Sequence, residues 1–237
     1  MKIQDSIVFI TGANRGLGLA LVQEALRRGA RKVYAGVRNP TDADLPGVIQ
    51  VKLDVTDAAS IRAAAEQCSD TTLLVNNAGI GRLNSSTLDS SMIDLSREIF
   101  ETNYYGMILV SQAFAPALAK NGGSAIINVL SDVTWFARPL LASYSASKSA
   151  AWSFTNALRI ELRRQNTAVL GLHLSFADTD LTAGFDMKKI SPQQVAEAAL
   201  IGLEANLEEV LVDDFTRKVK QSLSSEQAVY LNPPEIG

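Results

Sequence analysis

The 237-residue chain has one cysteine, Cys68, and one histidine, His173. A single cysteine leaves no intrachain disulfide, and nothing points to an oxidising compartment. With so few such side chains, a metal site assembled from His and Cys is excluded. So is a Ser-His-Asp triad around any histidine but His173. No metal is expected. Cations are not in excess: 22 Lys and Arg stand against 25 Asp and Glu, a formal net charge of −3. Nucleic-acid binders usually carry the opposite balance, so no nucleic-acid partner is expected. Long apolar runs are lacking too, and none reaches the length needed to span a bilayer, so no membrane partner is expected. The opening MKIQDSIVFITG has too short an apolar stretch for a signal peptide, and Asp5 interrupts it. These absences lead to the expectation of a cytoplasmic protein.

Hydrophobic residues are plentiful, at 47% of the chain, enough for a substantial core. Short apolar, β-branched runs predict strands over 6–11, 32–37, 48–53, 72–75, 124–130 and 168–174, with a final short one over 209–212. Between them lie helical patterns. Residues 19–28 are amphipathic, with Leu19, Val22 and Leu26 on one face. Ile61, Ala64, Ala65 and Cys68 mark another face. Long helices are predicted over 92–104 and 106–120, the second kinked by Pro116. Ser191-Pro192-Gln193-Gln194 has a serine cap, a proline at the first helical position and a glutamine three beyond the cap. The tail around Pro233-Pro234 reads as irregular. Strand and helix alternate almost throughout, and most strands are apolar on both faces. That pattern predicts an α/β fold with a mostly parallel sheet of about seven strands flanked by helices. No linker or repeat divides it, so a single domain over 1–237 is expected.

Two stretches carry chemistry. The first is TGANRGLG, residues 11–18, between a strand and a helix. Gly12, Gly16 and Gly18 would let the backbone approach a pyrophosphate seated on the helix N-terminus, with Asn14, Arg15 and Leu17 completing the loop. The alternative is a plain tight turn. About twenty residues further on, an acid would bond the ribose 2′-hydroxyl of NAD. Here the sequence is Gly36-Val37-Arg38-Asn39, with no acid. Arg38 and Arg15 are two guanidinium groups suited to a 2′-phosphate, so NADP(H) is the expected cofactor. Otherwise both are solvated surface charges.

The second stretch is SYSASK, residues 143–148. If helical, it places Tyr144 and Lys148 on one face, one turn apart. A free phenol titrates near pH 10, and a nearby ammonium favours the phenolate. Such a pair makes a general acid/base. The plain alternative is a half-buried tyrosine with a lysine at its rim.

Together these pieces resemble the single-domain short-chain dehydrogenase/reductase family, from the first strand to about Leu181. The family's Thr-Gly-x-x-x-Gly-x-Gly is matched by Thr11, Gly12, Gly16 and Gly18. Its Asn-Asn-Ala-Gly is matched by residues 76–79, its Tyr-x-x-x-Lys by Tyr144 and Lys148, its serine by Ser131 and its helix asparagine by Asn103. The resemblance implies a doubly wound Rossmann fold and a NADPH-dependent carbonyl reductase or alcohol dehydrogenase. Tyr144 would exchange a proton with the substrate oxygen. Lys148 would lower the tyrosine pKa and bond the nicotinamide ribose. Ser131 would hold the carbonyl or hydroxyl oxygen, and Asn103 would support a water linking Lys148 to solvent. Asp54 would meet the adenine with the Val55 backbone beside it, or else belong to the capping of the next helix with Asp57. Asn77, Ala78 and Gly79 would line the inner ribose, and Thr179 would touch the carboxamide.

Several positions depart from the family pattern. Leu174-Ser175 replaces the usual Pro-Gly, and Asp132 follows Ser131 where the family often has a second serine, adding a charge near the mouth of the site. The segment near 180–190, expected to cover substrate, is short. Trp135 and Phe136 either wall the pocket or pack in the core, and Phe185 has the same two options. His173 is expected to be structural. The substrate expected is a small to medium, uncharged carbonyl compound or alcohol, because the lid lacks a basic cluster. The two long helices ending near Lys120 and Arg164 form the tetramer surface in relatives, so a homotetramer or homodimer is expected. The competing readings are a non-enzymatic NADP(H) sensor and an epimerase or dehydratase on the same scaffold. Sensors often lose the tyrosine or lysine, and epimerases and dehydratases are generally longer.

Overall fold

The computed structural model describes residues 1–41 and 45–234; residues 42–44 and 235–237 of the expected 1–237 span lie outside the described residues. Seven strands form one sheet: β1 (Ile7–Thr11), β2 (Lys32–Val37), β3 (Val48–Lys52), β4 (Leu73–Asn76), β5 (Ala125–Val129), β6 (Ala168–His173) and β7 (Glu209–Leu211). Their order is β3-β2-β1-β4-β5-β6-β7, and each neighbouring pair is parallel. The chain winds outward from β1 in one direction and, from β4 onward, in the other. That reversal opens a crevice at the carboxyl ends of β1 and β4, the usual ligand position in a doubly wound sheet.

The helices are α1 (Gly16–Arg27), α2 (Ala58–Gln67), α3 (Met92–Phe100), α4 (Gly106–Asn121), α5 (Ala142–Leu162), α6 (Pro192–Glu204) and α7 (Asp214–Gln221). Successive side chains of a strand point to opposite faces. Val8 and Ile10 of β1 accordingly enter one core with α1 and α6, while Ile7 and Phe9 enter another with α2, α4 and α5. Each such fully buried apolar side chain stabilises the fold by roughly 1.5–3 kcal/mol. The expected start of α6 is present: Ser191 Oγ accepts from Gln194 N at 3.2 Å, and Gln194 Oε1 accepts from Ser191 N at 3.2 Å. Pro116 lies inside α4, which continues to Asn121.

One element differs from the sequence reading. The sequence pattern predicts no helix in the charged stretch after β7, where α7 lies. This helix forms because Asp213 caps it, accepting from Thr216 N at 2.8 Å. Val219 is fully buried against Trp135 and Phe136, with Phe215 packed beside it, while Asp214 and Lys218 are exposed.

Candidate active site

The glycine loop runs from β1 into α1. Gly12 and Gly16 have φ of +66° and +54°, a region that side chains strongly disfavour. A Cβ on Gly18 would stand 2.1 Å from Gly12 O, so only glycine fits there. Among the described residues no side chain caps α1, and its first turn has no acid. A helix N-terminus with free backbone donors and no competing anion attracts phosphate. The loop therefore fits the pyrophosphate of a dinucleotide.

Thr11 ties this loop to residues 77–79. Its hydroxyl accepts from Asn77 N at 3.0 Å and Ala78 N at 2.9 Å. Asn77 Nδ2 donates back to Thr11 O at 2.9 Å and Gly12 O at 3.2 Å. The ends of β1 and β4 are thus locked side by side. Thr179 approaches from the turn after β6; a Cβ on Gly16 would meet its Cγ2 at 3.2 Å.

The second half of the site lies where β4, β5, α4 and α5 converge. Between α3 and α4 the helical backbone widens into a π-type stretch, Glu101–Tyr105, which holds Asn103. Such local widenings are frequent at functional sites. Asn103 Oδ1 accepts from Ile80 N at 2.8 Å, and its Nδ2 donates to Ile80 O at 2.9 Å and to Ser147 Oγ at 3.1 Å. On α5, Lys148 is buried and donates to Val129 O at 2.9 Å. A Cβ on Gly79 would lie 3.3 Å from Asn103 Oδ1 and 3.8 Å from Lys148 Nζ, which brings all three to one place. Burial pulls the Lys148 ammonium down to about 8.

Tyr144 departs from expectation. Its ring centre is 5.7 Å from Lys148 Nζ, and the ammonium is engaged with Val129. Burial, reinforced by the charge of Asp132, raises the phenol above its ordinary value, while Ser131 pulls the other way. The phenol is protonated at neutral pH, as an unperturbed one would be, and Lys148 is not among the groups that shift it. Ser131, at the end of β5, donates to Asp132 Oδ1 at 2.9 Å. Asp132 is itself buried rather than at the mouth of the site.

The two arginines expected to meet the cofactor are arranged differently from one another. Arg38 is exposed just beyond β2, beside Asp54, whose carboxyl it helps to hold down; the larger effect there comes from the hydrogen bonds of Thr56. Arg15 instead donates from Nη1 to Asp180 Oδ2 at 2.6 Å, because the turn after β6 brings that acid against the glycine loop. Asp57, not Asp54, caps α2, accepting from Ala59 N. Asn14 is exposed, while Leu17 packs on the core below α1. Val55 is buried, and its carbonyl lies 2.9 Å from where a Cβ on Gly106 would be.

For Trp135 and Phe136 the open choice resolves toward the core, whereas Phe185 stays half-buried. Trp135 stacks on fully buried His173, ring centres 4.2 Å apart, and both it and Phe136 pack with Val219. His173 Nδ1 lies 3.1 Å from Ser131 O, a structural contact beneath the site. Phe185 pairs with Phe176 at 5.1 Å. In place of Pro-Gly, Leu174 O accepts from Asp132 N at 2.9 Å, and Ser175 N donates to Asp213 Oδ2 at 2.8 Å. Three contributors escaped the sequence reading: Thr11 as the clasp, Ser147 as the partner of Asn103, and Asp180 as the partner of Arg15. Ser147 was within sight, since it lies inside SYSASK and one residue before Lys148.

Comparison with known proteins places this geometry. Residues 6–189 match the family model described as short chain dehydrogenase. The short chain dehydrogenase tazN of Aspergillus terreus is 31% identical over 201 residues, covering 78% of this chain but only 44% of that protein. An uncharacterised oxidoreductase of Staphylococcus aureus (strain USA300) is 28% identical over 89% of this chain and 97% of its own length. Among solved structures, a short chain dehydrogenase from Burkholderia cenocepacia in complex with NADP is 37% identical. It has a TM-score of 0.91 and covers 95% of both chains. A 3-ketoacyl-(acyl-carrier-protein) reductase from Brucella melitensis complexed with NADH is 26% identical with a TM-score of 0.80, covering 90% of this chain and 98% of that one.

Proposed function

Since the chain belongs to the short-chain dehydrogenase family and is an oxidoreductase of that kind, we propose that it is an NADPH-dependent carbonyl reductase. Its substrates in this reading are small to medium ketones or aldehydes. The nicotinamide supplies the hydride when bound. The residues of the chain handle everything else. Gly12, Gly16 and Gly18 bring the backbone to the pyrophosphate, and Asn77, Ala78 and Gly79 line the ribose. Thr179 orients the carboxamide. Ser131 holds the substrate oxygen, and Tyr144 donates the proton that this oxygen needs as negative charge grows on it. Asn103 supports a water that links Lys148 to solvent, and a proton returns to the site along that path. The segment near 180–190 covers the substrate.

The observation that carries this reading is the convergence of Lys148, Asn103 and Gly79 with Tyr144 and Ser131 beyond the carboxyl ends of β4 and β5. A phenol there is a proton donor at neutral pH and, once it has given its proton, an acceptor, so it can serve hydride transfer in either direction. The preference for the phosphorylated cofactor is supported by Arg38 and the lack of an acid after β2. The NADP complex of the Burkholderia cenocepacia relative agrees with it. A homotetramer or homodimer is part of the proposal. Ile93, Tyr105 and Ile160 are exposed on or beside α3, α4 and α5, the faces such an assembly would cover.

The test is absorbance at the nicotinamide band with NADPH and then NADH, over a panel of aryl ketones, keto esters, diketones and aldehydes. Consumption of NADPH with a carbonyl, lost in Tyr144→Phe while cofactor binding persists, is expected. Cofactor binding with no turnover on any carbonyl would overturn the reading in favour of a sensor.

A further inference from the structure

Asp132 is an acid buried beside the proton-handling groups. It is 3% exposed. Oδ1 accepts from Ser131 Oγ at 2.9 Å and from Val133 N at 2.7 Å. Oδ2 has no hydrogen-bond partner within 3.5 Å among the described residues, although the Ser175 hydroxyl lies near enough to favour the ionised carboxyl as a donor. Four side chains on other segments act on the carboxyl or feel it. Tyr144 on α5 feels its charge. Arg138, 4% exposed and with Nε unpartnered, lies in the turn before α5 and is attracted to it without ion-pair contact. Ser175, after β6, favours its ionised form, and Asp213, the cap of α7, opposes that form. Lys220, further along α7, stands over Trp135. A buried carboxylate with no ion-pair partner is expensive to maintain, so a purely structural role explains it poorly.

The protons of this cluster can be followed one at a time. Ser131 has one hydroxyl proton. While Asp132 is ionised, that proton is directed to Oδ1, and Ser131 offers a substrate only lone pairs. A carbonyl oxygen requires a donor. A proton arriving on Oδ2 would neutralise the carboxyl, weaken Oδ1 as an acceptor and release the Ser131 hydroxyl to turn. Neutralisation would also remove a negative charge from beside an oxygen that becomes negative during reduction.

We propose that Asp132 is a positioning residue whose protonation frees Ser131 to donate to the substrate carbonyl oxygen, making carbonyl reduction acid-favoured. This rests on the carbonyl-reductase reading. Burial pushes the Asp132 carboxyl up to about 6, against the pull of Ser175, Ser131 and Val133, which places the change within an ordinary assay range.

The experiment compares initial rates of NADPH-dependent carbonyl reduction from pH 5 to 8 in the wild type and Asp132→Asn. Asparagine keeps the Oδ1 acceptor but does not titrate. In the wild type kcat is expected to fall about tenfold across this range, the worth of one hydrogen bond to a developing charge, and then level off. In Asp132→Asn the profile is expected to lose that step. A merely structural role would scale the whole profile and leave its shape intact, which would overturn the proposal. If Asp132→Asn does not fold, Asp132→Ser, which restores a serine after Ser131, takes its place. A second readout needs no turnover. In the difference between the substrate-free wild type and Asp132→Asn, the infrared band of a protonated carboxyl should be present at pH 5 and gone at pH 8. Its failure to titrate would overturn the proposal even in an active reductase. A titrating band with no carbonyl reduced would instead sink the reductase reading, and the role of Asp132 in reduction with it.

Discussion

Arg15 and Asp180, 165 residues apart in the chain, meet at 2.6 Å across the entrance to the glycine loop. The pair joins the segment ahead of α1 to the turn after β6. Both side chains are mostly exposed, at 69% and 74%. Solvent-screened pairs of this kind contribute about 0.2–1 kcal/mol, so the contact is readily exchanged for a better partner. A 2′-phosphate would be such a partner for Arg15, and taking it would release Asp180.

Asp180→Asn should therefore tighten NADPH binding. The gain is bounded by the worth of an exposed pair, about two- to fivefold in Kd. NADH, which lacks the phosphate, should be unaffected. Fluorescence titration with each cofactor measures both. Weaker NADPH binding in the variant would mean instead that Asp180 holds Arg15 ready for the phosphate.

Arg38→Asp should act in the opposite sense and more strongly. It replaces a cation just beyond β2 with an anion where the ribose is expected to lie. An acid there bonds a 2′-hydroxyl and repels a 2′-phosphate. The expected result is a fall in kcat/KM with NADPH of about a hundredfold, with NADH changed far less. Equal effects on the two cofactors would show that Arg38 does not read the phosphate.

Gly18→Ala tests the glycine cradle. The new Cβ would lie 2.1 Å from Gly12 O, 2.7 Å from Asn77 Nδ2 and 2.9 Å from Ala13 Cα. Two of these three are backbone atoms, which cannot rotate aside. Overpacking of this kind costs about 1–3 kcal/mol, and here it would also displace the phosphate-binding backbone. Loss of cofactor binding together with a lowered Tm is expected. Gly184→Ala is the control: nothing lies within 4 Å of its Cβ. Its stability should stay within about 0.5 kcal/mol of the wild type.

Much of this was legible in the sequence, and the pattern of what was not is physical. The strands were found to within a residue or two because runs such as IVFIT are apolar on both faces, as a sheet covered by helices requires. The capping box at Ser191 and Gln194 is local, so four residues suffice to announce it. Helix α7 was missed because its burial rests mainly on Phe215 and Val219 among charges, and what they pack on, Trp135 and Phe136, lies far back in the chain. The pairing of Tyr144 with Lys148 was read from their spacing. Which of the two governs the other was not, because that depends on burial and on Asp132, which arrives from another segment. Long-range pairs such as Arg15 with Asp180 leave no trace in local pattern at all.

Asp132 carries a stability consequence separate from its proposed role in reduction. Its carboxyl titrates at about 6 in the folded protein, raised mainly by burial from an ordinary 3.8. Between those values the folded state holds a proton that the unfolded chain has released. Stability contributed by this group is therefore highest below the ordinary range and falls as pH rises through the folded value. The whole difference amounts to roughly 3 kcal/mol, about half of it incurred between pH 5 and pH 8. Asp132→Asn cannot titrate, so this term vanishes. Urea unfolding of both proteins at the two pH values isolates it, because other titrating groups cancel in the comparison. Relative to the wild type, the variant should gain about 1–2 kcal/mol on going from pH 5 to pH 8. A difference that stays constant with pH would mean that the carboxyl keeps its ordinary pKa in the fold. In that case, burial would be offset by the Ser175, Ser131 and Val133 hydrogen bonds, and Asp132 would already be ionised at pH 5.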